Sequence, residues 1–254
     1  MSDSYRLNSY RYWSNTWRLL PIGYRASFSR AETGHWYGGD VTHKGAKCFT
    51  CKAKLRLVWD INILDPTLPE MVRLLFPGIS RLPLLYCFNC PQTTTYQVAS
   101  DTRIKCLDPA GHAGGDETPF TAETAVPAVL PRKPIALRRI NSVIDGILSI
   151  AHELGFDVLD KAAQKLLLKF LDKDMSMSWG LGMSQFGGEP TFLQGHWEII
   201  CPNCADKSRD FAFIMKELAV VEEDCAAGFK WACAPLVYHV CRHCRTIQGD
   251  FQCD

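Results

Sequence analysis

Eight of the twelve cysteines in this chain fall into four C-x-x-C pairs: Cys48-Phe-Thr-Cys51, Cys87-Phe-Asn-Cys90, Cys201-Pro-Asn-Cys204 and Cys241-Arg-His-Cys244. A tight turn with this spacing points two thiolates at one metal ion, and two such turns face to face supply the four sulfurs of a tetrahedral zinc site. Between the inner cysteines lie 35 residues in the early copy (52–86) and 36 in the late one (205–240). The matched spacing predicts a duplicated unit with two structural Zn2+ sites. One would use Cys48, Cys51, Cys87 and Cys90, the other Cys201, Cys204, Cys241 and Cys244. Four thiolates close the coordination sphere and leave no open position for a catalytic water, so the expected role of each ion is to hold the fold. In small units such an ion is worth on the order of 10 kcal/mol.

Histidine is the alternative ligand. His43 and His196 each stand five residues before the first cysteine of their unit, and His239 and His243 flank Cys241. Any of them could replace a thiolate or hydrogen-bond one from outside the coordination sphere. Cys106, Cys225, Cys233 and Cys253 have no matched partners and read as free thiols. A disulfide framework suits short secreted chains, whereas this sequence opens Met-Ser-Asp-Ser-Tyr-Arg with no apolar signal segment. A redox C-x-x-C acts singly at a strand-to-helix junction, not as two matched pairs. A reducing cytoplasm is the expected compartment for so much unpaired thiol.

Other chemistry finds little support. The chain holds no G-x-S-x-G elbow, no P-loop and no H-E-x-x-H. Lys plus Arg number 28 against 27 Asp plus Glu, so no global field attracts nucleic acid or acidic lipid. No run approaches the roughly 20 apolar residues that cross a bilayer. Apolar residues at 47 % and charged residues at 22 % are those of an ordinary globular protein.

The elements that must position the cysteines are legible around them. Lys54 to Asn62 alternates Leu55, Leu57, Trp59 and Ile61 with polar residues, a strand with one buried face. Residues 69–76 predict a short helix between Pro69 and Pro77-Gly78. Leu82 to Tyr86 reads as the strand delivering Cys87, and Thr93 to Ala99 as the next strand. In the late copy Asp210 to Leu218 repeats the first of these strands, and Leu236 to Val240 delivers Cys241. Gly187-Gly188 ahead of Glu-Pro marks a forced turn, since glycine tolerates positive φ.

Outside the two units, residues 1–37 mix aromatics with arginine, as in Tyr12, Trp13, Trp17 and Arg18. That pattern could stack on single-stranded nucleic acid, but it reads better as an arm or strand packing its rings inward. Residues 108–134, rich in Pro, Gly, Ala and Thr, read as a linker whose His112 is solvated. Two helices follow. Asn141 or Ser142 caps the first, with Asp145 in capping-box position, and Val143, Ile144, Ile147, Leu148, Ala151 and Leu154 form its stripe up to Gly155. Asp157 caps the second, with Leu159, Ala162, Ala163, Leu166, Leu167, Phe170 and Leu171 on its buried side. The division expected is an aromatic arm and first zinc-bearing repeat (1–107), a linker (108–134), a helical hairpin (135–183) and a second zinc-bearing repeat (184–254). The fold class is α+β, mostly antiparallel strand.

The run Ser184-Gln-Phe-Gly-Gly-Glu-Pro-Thr-Phe-Leu-Gln194, the Cys201/Cys204 turn and the closing Tyr238…Cys241…Phe251-Gln252-Cys253 resemble the bacterial YwqG-like proteins and the related zinc-containing halves of programmed cell death protein 2. The resemblance covers residues 184–254 well and 36–106 loosely, where Gly38-Gly39-Asp40-Val41 lacks the proline. It implies a β-rich, pseudo-duplicated, non-catalytic protein that binds another protein, either a client or a cognate toxin. The other readings are a zinc-ribbon nucleic-acid binder, disfavoured by the charge balance, and an enzyme with a cleft between the repeats.

Overall fold

The strands form an 11-stranded sheet. The computed structural model describes residue 20 and residues 23–90, 93–109, 126–174, 184–188, 200–204, 216–221 and 236–251. The aromatic arm before residue 20, most of the linker with His112, residues 189–199 with His196, residues 210–215 and Cys225, Cys233 and Cys253 lie outside the described residues.

In chain order the strands are β1 (Tyr24–Phe28), β2 (His35–Gly39), β3 (Arg56–Asn62), β4 (Arg81–Tyr86), β5 (Thr94–Ser100), β6 (Arg103–Leu107), β7 (Leu130–Arg139), β8 (Gln185–Phe186), β9 (Lys216–Val221), β10 (Leu236–Val240) and β11 (Thr246–Phe251). Helix α1 (Glu70–Leu75) joins β3 to β4, and helices α2 (Ser142–Leu154) and α3 (Lys161–Asp174) follow β7. The expected strands at 54–62, 82–86 and 93–99 and the short helix after Pro69 all form, within two residues of their expected bounds.

The sheet order is β4-β3-β2-β7-β1-β8-β9-β10-β11-β5-β6, and every pairing is antiparallel. The sheet curls until β4, at one end of this order, meets β5 near the other. The seam is closed by side chains rather than by a backbone ladder. The Tyr96 hydroxyl on β5 donates to the Pro83 carbonyl at 2.9 Å and accepts the Leu85 N–H at 3.0 Å, while the Cys87 N–H donates to Thr94 Oγ1 at 3.0 Å. Proline at position 83 costs nothing here, because its nitrogen faces the edge and not β3. An edge strand is thereby covered instead of left as a template for another chain. Inside lie Trp59, Tyr37, Tyr86, Tyr96, Tyr238 and Phe186, all under 2 % exposed. Gly249 makes room for them: a Cβ there would stand 2.8 Å from Tyr238 Cε1 and 3.4 Å from Tyr86 Cδ2.

β7 corrects the expected linker and hairpin bounds. It runs through both, from Leu130 to Arg139, and pairs with β1 on one side and β2 on the other. Pro131 and Pro134 disguise it, since proline argues against a central strand. The Pro134 carbonyl accepts the Ser29 N–H at 2.9 Å, so its backbone polar groups face β1 just past the last paired residue of that strand. The missing N–H therefore deletes a bond at a strand end and none in the β2 ladder.

The helical hairpin also departs in detail. Asn141 caps α2, accepting the Val143 N–H at 2.8 Å. With Asn141 as the cap, Asp145 stands one residue beyond the capping-box position; it is 3 % exposed and accepts the Gly23 N–H at 3.4 Å, tying α2 to the sheet. Asp160, not Asp157, caps α3 by accepting the Ala163 N–H at 2.7 Å, because residues 156–158 form a 3-10 turn first. Ile147, Leu159 and Leu167 make a small core of their own. Val143 and Leu166, expected inside, are 58 % and 40 % exposed.

Candidate metal centres

The first quartet begins in a miniature hairpin. The Cys48 N–H donates to the Ala53 carbonyl at 2.8 Å, the Lys52 N–H to the Cys48 carbonyl at 3.1 Å and the Leu55 N–H to the Ala46 carbonyl at 3.1 Å. Lys52 closes the turn at φ 62°, a left-handed conformation that costs a non-glycine residue roughly 1–2 kcal/mol. The turn Cys87–Cys90 faces it from the end of β4. Cys48 Sγ lies 3.8 Å from Cys90 Sγ, and Cys51 Sγ lies 3.6 Å from Cys87 Sγ.

The second quartet uses the same turn in the β10–β11 hairpin. The Cys241 N–H donates to the Thr246 carbonyl at 2.9 Å, the Arg245 N–H to the Cys241 carbonyl at 2.8 Å, and Arg245 closes the turn at φ 61°. The turn Cys201–Cys204 faces it, with Cys201 Sγ 3.5 Å from Cys244 Sγ and Cys204 Sγ 3.9 Å from Cys241 Sγ. The tight hairpin turn is thus the first pair of one quartet and the second pair of the other. Sequence spacing alone matches the pairs in chain order and does not show this exchange.

Within each quartet all four sulfurs lie within 4.8 Å of one another. Four sulfurs around one ion at a bond length of about 2.3 Å stand about 3.8 Å apart. A disulfide would need about 2 Å. The nine described cysteines are free thiols. The geometry therefore fits a tetrahedral four-thiolate site twice, and no disulfide.

Electrostatics agree with sites ready to ionise. Hydrogen bonding from Cys87, helped by the amides of Cys51 and Thr50, pulls the Cys48 thiol down to about 4. Cys201 and the amides of Cys244 and His243 pull Cys241 down to about 5. The donors Cys87 and Cys201 rise, because they keep the shared protons. Burial pushes Cys90 and Cys204 up to about 12. Cys244, half-buried, lies below the ordinary thiol value through hydrogen bonds from Thr246 and Asn203, against the opposing effect of burial. At least one thiol in each quartet is thus held well below the ordinary value, and a binding ion would displace protons from those that are raised.

None of the described histidines expected as alternative ligands joins either quartet. His43, His239 and His243 contribute no nitrogen to either group of four. His43 is half-buried, and its Nε2 has no hydrogen-bond partner among the described residues. His239, 5 % exposed, lies on β10 opposite Gln248. Cys106 is partly exposed and donates to the Gly45 carbonyl at 3.5 Å.

One buried pair escaped the sequence reading. His35, 1 % exposed, places Nε2 2.8 Å from Asp65 Oδ2, while its Nδ1 accepts the Asn62 N–H at 3.2 Å. The accepted N–H fixes the tautomer: Nε2 carries the proton and donates to Asp65. Both nitrogens are engaged, so this pair pins the β3–α1 loop and presents no base to a substrate. Nothing in local spacing connects residues 35 and 65.

Between the centres, β5 and β11 run antiparallel, one starting after Cys90 and the other after Cys244. The quartets therefore sit at opposite ends of the β5–β11 ladder, and Gln97 on β5 donates to the Cys244 carbonyl at 2.9 Å. Compared with known proteins, the chain matches no protein-family model, no curated protein and no solved structure.

Proposed function

We propose that this chain is a non-catalytic, zinc-stabilised protein-recognition protein, with both quartets loaded and acting as clamps on the sheet. The observation that carries the reading is the pair of closed four-thiol groups at opposite ends of the β5–β11 ladder. A filled tetrahedron has no position for substrate or water, so each ion serves the scaffold. Four sulfurs in a tetrahedron suit zinc or a single iron, and metal analysis with an optical spectrum separates them: about two zinc and no thiolate-to-iron absorption bands are expected.

Pseudo-duplication is part of the same reading. The order β2-β3-β4, with β5 across the seam, parallels β8-β9-β10-β11. Each series opens on a Gly-Gly turn at positive φ: Gly38 and Gly39 at 65° and 99°, Gly187 and Gly188 at 66° and 72°. The early copy keeps this turn without the proline. The exchanged order of the hairpin turns marks where the copies have diverged. The resemblance to YwqG-like proteins and to the halves of programmed cell death protein 2 rests on the motif residues and supports a cytoplasmic client- or toxin-binding role.

The test is affinity purification of the full chain from its native host, with metal analysis of the product. A stoichiometric protein partner supports the reading. Recovery of nucleic acid that survives moderate salt, or an isolated chain with turnover, overturns it.

A further inference from the structure

Helix α3 sets like charges in a row along one face. The capping Asp160 supplies the carboxylate at the positive end of the helix dipole, and Lys161 follows it as the first helical residue. Lys161, Lys165 and Lys169, all exposed, follow one another at a spacing of four, which sets like charges side by side. Each such pair destabilises a helix, and no carboxylate stands within the row itself, between residues 161 and 169. Leu166 and Leu168, one residue to either side of Leu167, are 40 % and 48 % exposed between these lysines. The opposite face is already occupied: Leu167 is 3 % exposed and packs with Ile147 and Leu159. Local conflicts gathered on one face mark a surface shaped for something other than folding.

We propose that this face of α3 binds an acidic, leucine-bearing segment of a partner protein. Its carboxylates pair with Lys161, Lys165 and Lys169, and its apolar side chains cover Leu166 and Leu168. The inference rests on the protein-recognition reading and names the surface and the chemistry of the partner. Charge complementarity selects the occupant, since a self-repelling row of ammonium groups flanked by leucines is relieved by carboxylates on an apolar ridge. An anionic membrane fits less well, because the apolar side of α3 is spent against α2 and two leucines give little to bury in a bilayer.

The test uses the full zinc-loaded chain and a fluorescein-labelled 16-residue peptide of glutamate and leucine, with leucines at helical spacing. Binding is followed by anisotropy at low and moderate salt. Saturable binding that weakens at least about tenfold in the Lys165→Glu/Lys169→Glu variant and in the Leu166→Gln/Leu168→Gln variant is expected. An oligoglutamate of equal length binds more weakly than the mixed peptide. Absence of binding, or equal binding by both variants, overturns the inference. So does co-flotation with phosphatidylcholine–phosphatidylserine vesicles that the lysine variant abolishes. Unchanged metal content and melting temperature certify that the variants are folded. Affinity purification with wild type and the lysine variant separates the two levels: equal recovery of one partner sinks this surface alone, and no partner for either sinks protein recognition itself.

Discussion

Lys52 and Arg245 hold backbone conformations that glycine would hold more cheaply, and each follows the last cysteine of a hairpin turn. The strain persists because the turn around it is over-determined by backbone bonds and, in the proposed state, by an ion. Glycine matters where a side chain would collide. A Cβ at Gly38 would stand 2.3 Å from the Pro131 carbonyl oxygen at φ +65°, whereas Gly78 at φ +79° meets nothing within 4 Å. Thermal or urea denaturation should therefore show Gly38→Ala costing about 2–4 kcal/mol and Gly78→Ala about 1 kcal/mol. His35 titrates against stability. Burial lowers its pKa below the ordinary 6.5, against the pull of Asp65 and Asp60 and with the help of Arg81. The folded state thus resists taking up a proton that the unfolded chain accepts. Stability is full above about pH 6.5 and falls as the pH drops toward the lower folded value. His35→Gln, which keeps a donor for Asp65 but cannot titrate, should flatten this dependence between pH 7 and 5; an unaltered slope would assign it elsewhere, for instance to His43, whose pKa burial also lowers.

At the scale of elements, the seam between β4 and β5 depends on one hydroxyl. Tyr96 is fully buried, which raises its pKa, and its oxygen satisfies both Leu85 N–H and Pro83 C=O. Tyr96→Phe should cost about 2–4 kcal/mol by leaving two backbone groups unpaired, and it should promote self-association by uncovering the β4 edge. Equilibrium unfolding and light scattering measure the two effects, while metal content stays constant. Proline is the other lesson of this scale. Pro83 and Pro134 lie within strands because each turns its missing donor away from a ladder, and sequence patterning has no means of knowing which way a strand's nitrogens face.

For the whole molecule, ions bound at the quartets, as proposed, would couple metal to sheet at both ends of the β5–β11 ladder. Stripping the metal with a strong chelator should lower the melting temperature by roughly 10 °C or more, since several kcal/mol at this size correspond to such a shift. Cys201→Ser should remove at least about 3 kcal/mol and one metal per chain, and Cys106→Ser under about 1 kcal/mol and none. Equal effects would show that the quartets do not hold the fold.

The cysteine spacing, the alternation of residues 54–62 and the prolines bounding residues 69–76 determined the two quartets, β3 and α1 before any coordinates, because local geometry depends on local residues. The same spacing paired the turns in chain order, and only the tertiary structure exchanged them. It also carried β7 through a stretch read as linker and hairpin, turned Asp145 from a cap into a tether, and left Leu166 outside. Each of these is settled by which groups meet across the sheet, and a one-dimensional pattern of polarity contains no register between distant strands.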